Sequence, residues 1–364
     1  MAAEKKFNVA IIGYGLSAKV FHIPFINLVP TLNLHTIIQR NPTAESSAPA
    51  DYPSLTHHTS LAPALADPAV DVVGILTPPD THFDLASQAL RAGKHVLVEK
   101  PFVPTAAEAD ALIALAREHN RLICVYQNRR WDSDFLTLRR LLRDGTLGRA
   151  LELDTHFDRY RPDKPTTWKG SLSMDRGGGV LFDLGSHLVD QAYALFGTPA
   201  AVYGRLLDQR AGRLDAEDPD SLHAVLSYAS GLVVTVRAGV LSVEEAQPRF
   251  WLRGSQGSYR KPGLDVQEPQ LKDGAKPTDP GFGVEPEAAA GRLVVVREDG
   301  SVEGRTLLTD KPETYVRLFE GFATALASGR EEDVPVPATQ ARDVLRILEA
   351  IRESARTGRE VRFD

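Results

Sequence analysis

A single cysteine among 364 residues excludes an internal disulfide, and with it a disulfide scaffold and a cysteine-built zinc site. No apolar run reaches the ~18 residues of a membrane span. Long basic runs are also missing. The chain carries 42 Lys+Arg against 48 Asp+Glu, a net charge of -6, which argues against a protein that coats nucleic acid. Met1-Ala2-Ala3-Glu4-Lys5-Lys6-Phe7 leads into a short apolar run and then Gly13, which fits neither a signal peptide nor a twin-arginine leader. The cytoplasm is therefore the expected compartment. H-E-x-x-H, a P-loop and carboxylates at metal spacing are absent, so no metal is expected. His57 and His58 do not change this, because adjacent side chains point apart.

What is present is an ordinary globular composition, with 43% hydrophobic residues, 28 Gly and 24 Pro. At roughly 150 residues per domain the length predicts two domains. Short apolar runs at Phe7 to Ile12, Leu34 to Ile38, Val70 to Leu76, Lys94 to Val98 and Leu122 to Tyr126 read as strands. Helical patterns lie between them at Ala18 to Leu28, Thr81 to Ala92 and Thr105 to His119. Continuous apolar strands alternating with helices predict a parallel, doubly wound sheet covered on both faces. Thr105 and Glu108 form a capping box. Cys124 falls in an apolar strand and reads as a small buried hydrophobe.

Beyond about residue 125 the pattern changes. A helix near Asp134 to Asp144 precedes alternating strands at Ala150 to Phe157, Ala200 to Leu207, Ser221 to Tyr228, Leu232 to Leu241, Arg249 to Gly254 and Gly291 to Val296. These predict antiparallel neighbours in one open sheet. Helices are expected at Leu181 to Phe196, Pro312 to Ser328 and Ala338 to Arg356, and Tyr259 to Glu287 reads as a long ordered loop. The fold class is thus α/β: an N-terminal Rossmann-type domain over 1–125 and a C-terminal α+β domain with an open, mostly antiparallel sheet over 126–364.

Gly13-Tyr14-Gly15-Leu16-Ser17-Ala18 fits G-x-G-x-x-G/A between a strand and a helix. The first glycine permits the turn, the second admits a pyrophosphate, and Ala18 allows close packing of helix on strand. At the end of the second strand, where a carboxylate would bind the ribose hydroxyls of NAD, stand Gln39, Arg40 and Asn41. Arg40 suits a 2'-phosphate, so NADP is expected rather than NAD; the bland alternative is an ordinary surface arginine.

Four segments in order then resemble the Gfo/Idh/MocA oxidoreductases: Gly13 to Ala18, Leu76-Thr77-Pro78-Pro79-Asp80-Thr81-His82, Glu99-Lys100-Pro101-Phe102, and Gly177-Gly178-Gly179 through His187. Phe21-His22-Ile23-Pro24, Tyr126 to Asp132 and Gly257 to Glu268 are most similar to the NADP-preferring scyllo-inositol dehydrogenase-like subgroup, although Tyr259 to Gly263 departs from the pattern common in relatives. The resemblance implies Lys100, Asp183 and His187 as the catalytic set. It also implies a homodimer or homotetramer packed through the C-terminal sheets, and a Trp168 that closes over cofactor and substrate. On composition alone Trp168 is a packing anchor.

The residues admit that chemistry. Asp183 and His187 are four apart, one turn of a helix, and an imidazole titrates near neutrality. Lys100 follows a strand at the edge where ligands bind, and its charge there would stabilise a developing alkoxide. Thr77, Pro78 and His82 are candidates for the pyrophosphate and ribose. Glu99 either contacts the nicotinamide end or orients Lys100, and Gln127 and Asn128 reach the nicotinamide amide or the substrate. Arg129 and Arg130 read as structural ion-pair partners. Phe157, Tyr160 and Tyr259 either shape a polyol pocket or pack in core and rim. The expected reaction is hydride transfer between NADP and a cyclic polyol or sugar. The alternatives are a dihydrodiol-type dehydrogenase on the same fold or a non-catalytic nucleotide-sensing regulator.

Overall fold

In the computed structural model, which describes residues 5–213 and 218–363, the first apolar run becomes the centre of a sheet. Met1 to Glu4, the first part of the segment read for a leader, lie outside the described residues. Strand β1 (Phe7–Ile12) pairs in parallel with β2 (Leu32–Ile38) on one side and β4 (Val72–Ile75) on the other. β3 (Thr56–His58), β5 (His95–Glu99) and β6 (Ile123–Tyr126) complete the order β3-β2-β1-β4-β5-β6, every pair parallel. The chain order reverses beside β1, so its carboxyl end, at Gly13, is the switch point where such sheets bind ligands. All four residues of β4 and of β6 are buried, as strands covered on both faces must be. The capping box forms: Thr105 Oγ1 accepts the Glu108 amide and Glu108 Oε2 accepts the Thr105 amide, both at 3.2 Å, at the head of helix Ala106–Glu118. Cys124 is buried.

The helix expected at Ala18 to Leu28 differs. It is a π-helical turn, Ser17–His22, followed by one α-helical turn, Ile23–Ile26. Pro24 has no N–H to continue the α-helical ladder, and the wider turn accommodates it.

The second sheet has nine strands in the order β14-β13-β12-β11-β7-β10-β9-β8-β15. These are β7 (Ala150–Asp158), β8 (Ala201–Leu207), β9 (Ser221–Ser227), β10 (Val233–Gly239), β11 (Pro248–Gly254), β12 (Gly257–Pro262), β13 (Gly291–Val296), β14 (Val302–Leu307) and β15 (Val361–Arg362). The sheet is mostly antiparallel, as its alternating strands predict; β7 and β10 are parallel, while the other neighbours are antiparallel. The long connection after β7 carries helix Ser186–Phe196, and β8, β9 and β10 then meander back, which returns β10 in the direction of β7. The segment read as a loop over 259–287 contains most of β12 and a helix, Gln267–Lys272. In β8 to β10 one set of side chains is buried while Tyr203, Arg205, His223, Val225 and Arg237 are exposed on the other face. Beneath β8, Ser354 Oγ accepts the Gly204 amide at 2.9 Å.

The described residues form two compact units, and the chain crosses between them more than once. The first takes residues up to Asn128 and adds Pro269–Pro280 and Thr314–Arg342; the second takes Arg129–Glu268, Gly281–Glu313 and the chain from Asp343. An aromatic cluster accounts for the return. In helix Val316–Ser328, Phe319 stacks on Phe25 with centroids 5.9 Å apart and an interplanar angle of 3°, and it packs on Tyr126 at 5.7 Å. Among the described residues no helix is long and apolar enough to cross a membrane.

Candidate functional site

In the first unit the turn after β1 is built for a close approach. Gly13 has φ +100°, and a Cβ there would lie 2.7 Å from the Leu76 carbonyl oxygen. A Cβ at Gly15 would meet nothing, so that backbone borders open space at the switch point. These features fit a dinucleotide's pyrophosphate. The Tyr14 side chain points elsewhere: its hydroxyl donates to Asp51 Oδ2 at 2.6 Å, and Lys19 Nζ lies 4.5 Å from its ring centroid. Burial, then Asp51, push its phenol above the ordinary range. Leu16 is 58% exposed.

Glu99 gathers the polar groups of this turn. One carboxylate oxygen accepts the Ser17 hydroxyl and lies 3.0 Å from His22 Nε2; the other accepts the Lys100 amide at 3.0 Å. Burial alone would raise this carboxyl, but the His22 contact, with help from Ser17 and Lys100, outweighs it and holds Glu99 below the usual carboxylate range. Of the two roles open to Glu99, these bonds favour orienting the Lys100 backbone.

At the adenosine end, both groups of the Gln39 amide are engaged in the loop that follows: Nε2 donates to the Ser46 carbonyl at 2.8 Å and Oε1 accepts the Ala48 amide at 2.7 Å. Arg40 is exposed and makes no hydrogen bond or ion pair among the described residues. A cavity of about 260 Å³ at the ends of β2 and β3 is lined by Gln39, Pro42, Pro49, His57, His58 and Ser60, among others. Thr77 Oγ1 lies 2.6 Å from Thr81 Oγ1, which donates to the Pro78 carbonyl. His82 is fully buried. Nδ1 lies 3.0 Å from the Pro101 carbonyl and 3.1 Å from that of Phe102, and Nε2 lies 2.8 Å from that of Thr77. Burial holds its imidazole below the usual range. His82 thus braces the segments that carry Thr77 and Pro101, with both ring nitrogens turned to the main chain. Gln127 is buried at the end of β6. Lys100 is half-buried just after β5.

In the second unit, Asp183 lies in a π-helical turn, Leu181–Gly185, and His187 in the α-helix Ser186–Phe196 that continues it. The one-turn α spacing expected from the sequence therefore does not apply as such. Gly178, in the preceding turn, permits close contact with the Leu172 carbonyl. The Asp183 side chain is 33% exposed and faces two cations: Lys169 Nζ at 3.2 Å and Arg159 at 3.5 Å. His187 is buried, 6.4 Å from the Phe157 centroid. Phe157 is buried too, with the guanidinium carbons of Arg129 and Arg159 4.8 Å and 5.4 Å from its centroid. Tyr160 is 58% exposed at the rim, whereas Tyr259 is wholly buried in β12 and belongs to the core. Trp168, 44% exposed, is not a packing anchor.

A satisfied polar layer supports this side of the unit. Arg130 donates to both Asp190 oxygens, at 2.9 Å and 2.7 Å. Arg249 donates to Asp134 and to Gln191, both at 2.7 Å, and Arg129 pairs with Asp132 and Glu268. Arg129 and Arg130 are thus structural ion-pair partners. Arg159 was missed, since nothing in Phe157-Asp158-Arg159-Tyr160-Arg161 separates it from a solvated arginine. Lys100 belongs to the first unit, Asp183 and His187 to the second. Among the described residues no group of three or more His, Cys, Asp or Glu is placed to hold a metal.

Residues 7–127 match the model of the oxidoreductase family with an NAD-binding Rossmann fold, and 135–260 match the GFO/IDH/MocA C-terminal domain. The uncharacterized oxidoreductase YdgJ of Escherichia coli is 40% identical over 96% of each chain. The chain belongs to the Gfo/Idh/MocA family. The scyllo-inositol 2-dehydrogenase (NADP(+)) IolW of Bacillus subtilis is 33% identical over 98% of this chain and 96% of its own. Among solved structures, that of the yvaA protein of Bacillus subtilis superposes with a TM-score of 0.91 at 32% identity, covering 99% of each chain. This Gfo/Idh/MocA protein is thus an NAD(P)-binding oxidoreductase of small molecules.

Proposed function

We propose that this Gfo/Idh/MocA protein is an NADP-dependent dehydrogenase of CH–OH groups, acting on a cyclic polyol or sugar as a scyllo-inositol dehydrogenase does. The observation that carries the reading is the Asp183–His187 pair on consecutive turns: a partly exposed carboxylate, and a buried imidazole beside Phe157. The name of the Bacillus subtilis relative supports the substrate class and the cofactor.

The bound nicotinamide nucleotide supplies the hydride donor or acceptor. The backbone from Gly13 to Ala18 would hold its pyrophosphate. Thr77 and Pro78 would line the ribose side, with Gln127 at the nicotinamide end. Arg40 would pair with the 2'-phosphate, a role supported by its exposure and by the lack of any carboxylate among the cavity residues beside it. In the reaction His187 carries the hydroxyl proton, the Lys100 ammonium polarises the reacting oxygen, and Asp183 orients a neighbouring hydroxyl. Glu99 positions Lys100 through the bond to its amide.

The test follows nicotinamide absorbance with inositol isomers and aldoses, each with NADP and with NAD. Turnover with NADP is expected; silence with every polyol and both cofactors overturns the reading. Arg40→Asp is expected to shift the NADP:NAD ratio of kcat/KM toward NAD by roughly 10- to 100-fold, the loss of a charge-assisted pair. An unaltered ratio removes Arg40 from the phosphate site.

A homodimer or homotetramer is also proposed, packed through the sheet face that exposes Tyr203, Val225 and Trp251. Sedimentation at the mass of one chain would refute it.

A further inference from the structure

Arg159, just beyond β7, is half-buried, with its Nε enclosed, and its side chain makes no hydrogen bond to any described residue. Among the described residues its one ion pair, to Asp183 at 3.5 Å, is shared with Lys169. The neighbouring arginines differ. Arg130 is bidentate on Asp190, and Arg249 donates to Asp134, Gln191 and the His156 carbonyl. Burial pulls the Arg159 guanidinium below the ordinary arginine range; Asp183 and Glu268 oppose the shift, and Arg161 and Arg129 add to it. A half-buried guanidinium with idle donors is costly unless a partner arrives. Two cations, Arg159 and Lys169, thus face the Asp183 carboxylate. A planar fork of N–H donors fits two oxygens of one carboxylate.

We propose that Arg159 is a substrate-binding residue and that the substrate carries a carboxylate, as a sugar acid does, held by the guanidinium while Asp183 and His187 face its hydroxyls. This rests on the reading of Asp183 and His187 as substrate-facing. It narrows the polyol class to one with an anionic end.

The experiment compares D-glucuronate with D-glucose and D-galacturonate with D-galactose, pairs that differ by a carboxylate against a hydroxymethyl. Calorimetric binding to the NADP-loaded protein and kcat/KM are measured for wild type, Arg159→Gln and Arg159→Lys. Wild type is expected to bind the acids at least about 10-fold more tightly. Arg159→Gln is expected to lower the acid-to-neutral ratio by roughly 10- to 100-fold, chiefly through KM, and Arg159→Lys to restore part of it. Unchanged far-UV circular dichroism and NADPH binding show that each variant is folded. Equal binding of acid and neutral sugar by wild type, or a ratio that Arg159→Gln leaves alone, overturns the proposal. If no sugar is turned over but the acid preference in binding is present and lost in Arg159→Gln, the dehydrogenase reading falls and this one stands. If neutral polyols are turned over and the ratio does not move, the reverse holds.

Discussion

In the first unit, Glu99 lies among donors: Ser17, His22 and the Lys100 amide all face it, and its carboxyl is held below the usual range despite burial. In the second unit, Asp265 accepts the Ser133 and Gln267 amides, both at 2.8 Å, yet burial and then Asp134 push it up to about 6. Glu285 faces Lys261 at 2.7 Å, and burial still pushes it up to about 7. All three are carboxyls removed from water. What separates them is the company they keep: cation and donors outweigh desolvation around Glu99, whereas desolvation and neighbouring acids win around Asp265 and Glu285. Asp183 is a fourth case, one-third exposed and met by two cations. The lesson is a division of roles. Glu99 is fixed framework, while Asp183 is partly open to solvent and faces cations.

Breaking the reactive end should have the largest effect. His187→Ala is expected to lower kcat by roughly 10²- to 10⁴-fold with NADPH affinity retained, measured by steady-state rates and cofactor fluorescence; unchanged turnover would remove His187 from the mechanism. Next comes the supporting layer. Arg130→Ala leaves Asp190 buried without its bidentate partner and should cost about 3–5 kcal/mol in denaturant unfolding. A loss of less than about 1 kcal/mol would show that Asp190 is relieved by water or protonation.

The smallest effect sharpens the contrast of signs. A carboxyl raised in the folded state stabilises below its unfolded value, and the contribution is lost as pH rises through the folded value. Asp265 and Glu285 therefore favour the fold below about 4 and lose that contribution by pH 6 to 7. Glu99 acts oppositely, stabilising at neutral pH and losing its contribution on acidification. Between pH 4.5 and 7, Asp265→Asn should flatten the fall of stability by about 1–3 kcal/mol. A melting profile with the same pH slope as wild type would contradict the raised value.

Much of this was written in local pattern. The strands of the first sheet are short, branched and apolar, and Phe7–Ile12 falls where the run predicts. The turn at Gly13 and the Thr105–Glu108 cap declare themselves by spacing, because each rests on residues close in sequence. What the sequence concealed depends on distant partners. β14, Val302–Leu307, is an exposed edge strand with charges in it, so no apolar run marks it. The parallel pairing of β7 with β10 follows from a connection, not from composition. Gln39 and His82 had the right residue types for ligands, but their partners are main-chain groups that no spacing reveals. Arg159 is set apart from a solvent arginine by the Phe157 ring and by the bonds its neighbours have and it lacks.

The return of helix Val316–Ser328 to the first unit bears on how the chain is made. When residue 128 leaves the ribosome, the parallel sheet is complete, but Phe25 and Tyr126 still await Phe319. The first unit to be synthesised is thus among the last to be finished. A nascent chain, or one truncated at that boundary, carries a bare aromatic surface for some two hundred residues of elongation, a period of roughly 10–40 s at ordinary translation speeds.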